Sequence, residues 1–141
     1  MSAIPDSARE LLESAALAHL VTMNGDGSPQ VTCVWVGLDG DEIVCGHLPN
    51  HRKLSNVRRD PRVALSIEAG ETNELGLKGY LVAYGTARVT EGGGAELLKR
   101  LAGTYLGPEV DFPPMPDPPP GYVTHITVDR IAGVGPWVSE S

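Results

Sequence analysis

The sequence predicts a mainly β protein with flanking helices, in which short antiparallel strands form a small barrel. Three observations point there. Apolar stretches of strand length recur between turn signals, the first of them Asn24-Gly25. Gly85 interrupts a long strand-like run, as the bends of a small barrel require. No strand–helix–strand alternation runs through the chain, which sets aside a doubly wound nucleotide-binding fold. At 141 residues the chain fits a single domain, 1–141, with a real core.

The elements follow in order. Ser7 and Glu10 have the spacing of a capping box, and Leu11, Leu12, Ala15, Ala16 and Leu17 give a helical stripe that should end near Ala18. Strands are expected over 19–23, 30–36 and 42–47, with turns at 24–27 and 38–41, making three consecutive antiparallel strands. Asn50 is the expected N-cap of a short helix that Pro61 stops at or before Asp60. A fourth strand runs from Arg62 to Glu68, followed by a polar loop over 69–77 and a long strand from Gly79 to Val89 with a bulge at Gly85. Thr90 is the expected cap of a helix reaching Tyr105, with Leu97, Leu98 and Leu101 inward. Most of the 12 prolines fall in 107–121, an extended loop that is either a wall of a site or a stiff connector. Tyr122 to Asp129 and Ile131 to Val134 read as the last strand, and Gly135-Pro136-Trp137-Val138 closes the chain.

Charge singles out one segment. The protein carries a formal net charge of -7, yet five of its 11 Lys and Arg residues lie in 50–62: Arg52, Lys53, Arg58, Arg59 and Arg62. Arg58, Arg59 and Arg62 suit a solvated helix end, where cations are favoured. Arg52 and Lys53 fall in the first turn, where a cation is unfavourable until an anion arrives. That points to a phosphate or phosphodiester. The acidic balance excludes general nucleic-acid binding. No apolar run is long enough to cross a membrane, and the first residues lack the pattern of a secretion signal, so a cytoplasmic protein is expected. Cys33 and Cys45, on neighbouring predicted strands, are expected as free thiols. His19, His47, His51 and His125 lack metal-ligand spacing, so no metal is expected. Gly92-Gly93-Gly94 lacks the Lys-Ser/Thr of a phosphate loop, and Asp39 and Asp41 read as turn residues.

One stretch is familiar: Arg52-Lys53, Asn56, and Arg58-Arg59-Asp60-Pro61-Arg62-Val63-Ala64-Leu65, preceded by the strand–turn–strand unit. Gly85, Ala87 and Val89 follow, then Gly133, Gly135, Pro136 and Trp137. This pattern resembles the split antiparallel β-barrel (FMN-binding split barrel) proteins. They include the pyridoxamine 5'-phosphate oxidase-like group and the B-type reductases that depend on the deazaflavin coenzyme F420. The resemblance spans His19 to Trp137 and implies a homodimer with cofactor sites between the subunits. It puts Arg52 and Lys53 at the phosphate of the cofactor, with Asn56 holding the loop or binding the cofactor. Val34, Trp35 and Val36 fall on the strand edge beside the ring, and Gly46 and His47 on the strand leading to the phosphate, with His51 close by. Trp137 falls where the partner's C-terminus approaches the ring. The chain is shorter than true pyridoxamine 5'-phosphate oxidases and lacks their substrate-phosphate residues, which favours the deazaflavin branch.

The resemblance therefore implies an F420-dependent oxidoreductase passing a hydride to an unsaturated or conjugated small molecule. The alternatives are an FMN-dependent oxidase or reductase, or a non-catalytic flavin or deazaflavin carrier. The absence of an acid–base triad suits such an enzyme, because the cofactor carries the chemistry. Trp35 and Trp137 either touch the ring or pack, and Tyr80 and Tyr84 share one strand face suited to core or interface packing.

Overall fold

The computed structural model describes residues 4–140, excluding the side chains of Ser139 and Glu140. Among these residues seven strands form one antiparallel sheet: β1 (Ala18–Met23), β2 (Pro29–Val34), β3 (Gly37–Asp39), β4 (Glu42–His47), β5 (Arg62–Thr72), β6 (Lys78–Glu91) and β7 (Tyr122–Val134). Four helices among them flank it: α1 (Asp6–Leu12), α2 (Arg52–Arg59), α3 (Gly94–Tyr105) and α4 (Pro136–Glu140). The strand order is β2-β1-β5-β6-β7-β4-β3.

Alternation makes the core. Ala18, Leu20 and Thr22 of β1, Val63, Leu65 and Ile67 of β5, and Leu81, Ala83 and Ala87 of β6 all turn to the same buried face. Ile43 and Cys45 of β4 and Ile126 and Val128 of β7 join them in one cluster, as do Ala8, Leu11 and Leu12 of α1. The irregularity expected at Gly85 is a bulge in the facing strand β7. Tyr84 pairs with Arg130 and Gly85 with Val128, leaving Asp129 as the extra residue. A Cβ at Gly85 would collide with the Thr127 carbonyl oxygen.

Several expectations are corrected. The three early strands are not a meander: β2 pairs with β1, whereas β4 pairs with β3 and β7. Cys33 and Cys45 therefore do not sit on neighbouring strands, although both are free thiols. Val34 ends β2, and Trp35 and Val36 lie in the link to β3. The stretch read as a turn at 38–41 contains β3, and the reversal is confined to Gly40-Asp41, with Gly40 at φ +60. The loop expected over 69–77 shrinks to 73–77, because Asn73 Oδ1 accepts the Leu75 and Leu77 N–H groups and lets both strands lengthen.

The expected caps are displaced too. Pro5, extended, precedes α1, and Ser7 lies inside the helix. This helix stops at Leu12, well short of Ala18: Ser14 Oγ donates to the Leu11 carbonyl and Ala15 takes a left-handed φ of +68. His51 stands at the start of α2, while Asn50 accepts a hydrogen bond from Arg58. Gly93, at φ +80, starts α3 because β6 continues through Thr90 to Glu91.

Candidate functional site

The helix α2 is held rigidly beside the β1–β2 hairpin. Asn56 is almost fully buried, and its Nδ2 faces Thr22 Oγ1, Asn24 Oδ1 and Gln30 Oε1, each at 3.1 Å. Arg59 donates to Asn56 Oδ1 at 3.0 Å and to the Met23 carbonyl at 2.6 Å. Arg59 is exposed at the helix end, as expected, and also serves as a strut to the hairpin. Arg62 pairs with Asp60, and Arg58 lies over the Tyr122 ring, 5.5 Å from its centroid. The Asn56 amide thus bonds the hairpin from the middle of α2.

On the other side of α2 is a cavity of about 340 Å³. It brings together six of the ten residues expected at a cofactor site: Val34, Trp35, Gly46, His47, His51 and Lys53. The remaining four are elsewhere. Arg52 and Asn56 line a separate polar hollow with Asn24, Ser28 and Arg59. Val36 lies in the core link, its N–H donating to Tyr105 Oη. Trp137 is 4 % exposed and packs within its own subunit, its Nε1 donating to the Tyr80 carbonyl.

Lys53 sets the electrostatics of the cavity. It is only 9 % exposed, and no hydrogen bond or ion pair holds it among the described residues. Burial pulls its pKa down; nearby Cys45 and Cys33 act in the opposite direction. Cys45 gives no counter-charge at neutral pH, because burial pushes its thiol up to about 12. The two histidines add none. Burial, then Lys53 and His51, bring His47 down to about 3, and its Nε2 lies 2.9 Å from Thr124 Oγ1. Burial and Lys53 likewise lower His51. A buried cation flanked by neutral imidazoles is costly unless an anion joins it.

Part of the lining is aromatic, Trp35 and Phe112, with Tyr105 behind the indole. Trp35 stacks on Tyr105 with centroids 5.2 Å apart and planes 14° from parallel. Phe112 meets the same indole at 5.2 Å, tilted by 54°. Tyr105 is fixed by its hydroxyl, which donates to the Ala16 carbonyl at 2.9 Å and accepts the Val36 N–H at 3.0 Å. Phe112 comes from the proline-rich loop, so this segment is a wall of the cavity as well as a connector. Sequence reasoning passed over Phe112, Cys33 and Tyr105. Phe112 is the single phenylalanine of the chain and stands alone among prolines, the one local signal that marked it.

The three glycines 92–94 are structural. Gly92 and Gly93 take φ values of +82 and +80. A Cβ at Gly94 would collide with the His47 carbonyl oxygen, so this residue lets α3 approach the cavity strand β4.

The fold recurs in solved structures. An F420 reductase matches at 24% identity and TM-score 0.73, covering 92% of this chain and 98% of that one. The conserved hypothetical protein Rv2991 from Mycobacterium tuberculosis matches at 26% identity and TM-score 0.73, covering 94% and 86%. HupZ from Group A Streptococcus matches at 19% identity and TM-score 0.63, covering 92% and 94%. The shared fold defines a class of mainly β proteins built on an antiparallel sheet with flanking helices. Within it, the chain belongs to the pyridoxamine 5'-phosphate oxidase family, whose model matches residues 4–135. No protein of curated function matches the chain.

Proposed function

We propose that the protein is an F420-dependent oxidoreductase that passes a hydride to an unsaturated or conjugated small molecule. The observation that carries this reading is Lys53, a buried cation without a counter-charge, lining a cavity with an aromatic wall. The residues present fit the group: an anionic tail would neutralise Lys53, and a flat ring would meet Trp35. When bound, the deazaflavin supplies a two-electron hydride carrier. The chain's own part is positioning. Lys53 anchors the phosphate by charge, with His51 as a further donor. His47 fixes the floor of the cavity through Thr124. Phe112 and the loop it belongs to exclude water from the side of Trp35, which strengthens every electrostatic contact inside.

The near end-to-end likeness to an F420 reductase supports the deazaflavin over FMN. FMN would place one phosphate on the same lysine, and the family match supports that second reading. Titration with each cofactor decides between them: quenching by F420 at micromolar concentration, with FMN binding far more weakly, is the expected result. Tighter FMN binding would overturn the deazaflavin assignment. Binding without oxidation of reduced F420 by any conjugated acceptor would leave a carrier.

We further propose that the working unit is a homodimer. The outer face of β2, β1, β5, β6 and β7 carries a cross-strand row of Val31, Val21, Ala64, Tyr84 and Arg130. Val31 is 59 % exposed and Tyr80 43 %, an apolar face of the kind that partners cover. Light scattering should give twice the chain mass. Among the described residues no helix is long and apolar enough to cross a membrane, and the free thiols of Cys33 and Cys45 suit a reducing cytoplasm.

A further inference from the structure

The same cavity holds a nucleophile that the proposed function does not use. Cys33 is exposed, carries a free thiol and lines the cavity beside Lys53, Trp35 and His51. A lone exposed cysteine would mean little. Here a second observation points to a ligand at the same place: the nine-tenths-buried Lys53, which has no hydrogen-bond or ion-pair partner among the described residues and lines the same cavity. The two side chains are close enough for charge on one to act on the other. The Lys53 charge attracts an anionic reactant to the sulfur that lines the same cavity.

We propose that Cys33 is a covalent modification site for small anionic electrophiles, of which α,β-unsaturated carboxylic acids are the natural class, with Lys53 as the docking charge. In that reaction the sulfur forms a bond to the β-carbon. The carbon–carbon π pair moves to the α-carbon, which takes a proton from solvent in place of the one the thiol gave up. Nothing is oxidised or reduced, so no further reactant is needed. The adduct would occupy the cavity beside Trp35 and block entry of a larger ligand. Cys45 is the internal control, because it is buried in the core and its thiol stays protonated.

This inference stands on the cavity and not on the identity of its cofactor, and the test uses the full chain with none added. Iodoacetate and iodoacetamide alkylate the same sulfur with loss of iodide and differ in charge. Peptide mass spectrometry should find Cys33 labelled and Cys45 unlabelled under native conditions. The ratio of iodoacetate to iodoacetamide rates at Cys33 should exceed that of free cysteine by roughly tenfold. Lys53→Gln should bring the ratio back to that of free cysteine, and Lys53→Arg should retain most of the excess. Inorganic phosphate should slow iodoacetate in the parent protein and leave iodoacetamide nearly unchanged, which keeps the test sound even if a variant folds poorly. A ratio equal to that of free cysteine in the parent, or labelling of Cys45 before Cys33, would overturn the proposal while leaving the F420 reading intact.

Discussion

Asn56 of α2 and Thr22 of β1 are joined by a buried 3.1 Å hydrogen bond, and this bond fixes the helix that carries Lys53. The carboxamide also reaches Asn24 and Gln30 and accepts from Arg59, so one side chain ties the helix to both strands of the hairpin. Asn56→Ala would leave several buried polar groups without a partner. The expected cost is about 1–3 kcal/mol of stability, with weaker ligand binding as the helix loosens. Urea unfolding monitored by circular dichroism checks the first part. A change within experimental error would show that the network is dispensable.

His47 makes stability depend on acid. Its ordinary pKa is 6.5 and the folded protein holds it at about 3, chiefly by burial. A group whose folded pKa is depressed stabilises the fold above its unfolded value and loses that contribution as pH falls towards the folded value. The affected window is therefore pH 6.5 down to 3, with a slope of up to about 1.4 kcal/mol per pH unit. His47→Gln, which can still bond Thr124, should flatten the curve between pH 6 and 4. Thermal melts across that range give the comparison.

The two tryptophans should report separately. Trp35 faces the cavity, whereas Trp137 is enclosed against the Gly135 backbone and bonded to Tyr80. Binding of a ring-bearing ligand should quench Trp35 emission and leave Trp137 emission nearly unchanged. In Trp35→Phe the quenching should vanish, and in Trp137→Phe it should survive. Trp137→Ala, by contrast, should cost about 3–5 kcal/mol of stability because it opens the core. Persistent quenching in Trp35→Phe would mean that ligands bind elsewhere.

Local signals were the legible part of this fold. Gly85 announced the bulge opposite it and Asn24-Gly25 its hairpin, because turn chemistry is written in adjacent residues. Pairing was not legible. β2 and β4 are close in sequence but far apart in the sheet, and β7 enters between β6 and β4 from the far end of the chain. No periodicity encodes that order. Caps failed for a related reason. Ser7, Asn50 and Thr90 have the right chemistry, yet Pro5, His51 and Gly93 hold the positions, since neighbouring strands and backbone conformation set where each helix begins. At the site, His51 and Lys53 of the helix start line one cavity with Val34, Trp35, Gly46 and His47, whereas Arg52 lines another hollow. Phe112 and Cys33 did not show themselves, because tertiary contact alone makes them part of the wall, as it alone puts Tyr105 behind Trp35.

Arg52 and Lys53 follow one another on α2, and the sequence treats them as an equivalent pair of cations. Geometry separates them. Successive helical residues point about 100° apart, so one side chain reaches the cavity and the other the hairpin hollow beside Asn24 and Ser28. Lys53 is buried without a partner; Arg52 is exposed, within the field of Asp26, where water screens its charge. Removing them should therefore have unequal effects. Lys53→Gln takes away a charge-assisted contact in a low-dielectric cavity and should weaken binding of a phosphate-bearing cofactor by roughly ten- to a hundredfold. The same change relieves an unpaired buried cation, so the ligand-free protein should hold or gain stability. Arg52→Gln should weaken binding by only a few-fold and leave stability near that of the parent. Fluorescence titration of parent and both variants, set beside their melting temperatures, tests the contrast. Equal losses for the two variants, or a larger loss for Arg52→Gln, would move the anion site out of the cavity and onto the open start of the helix.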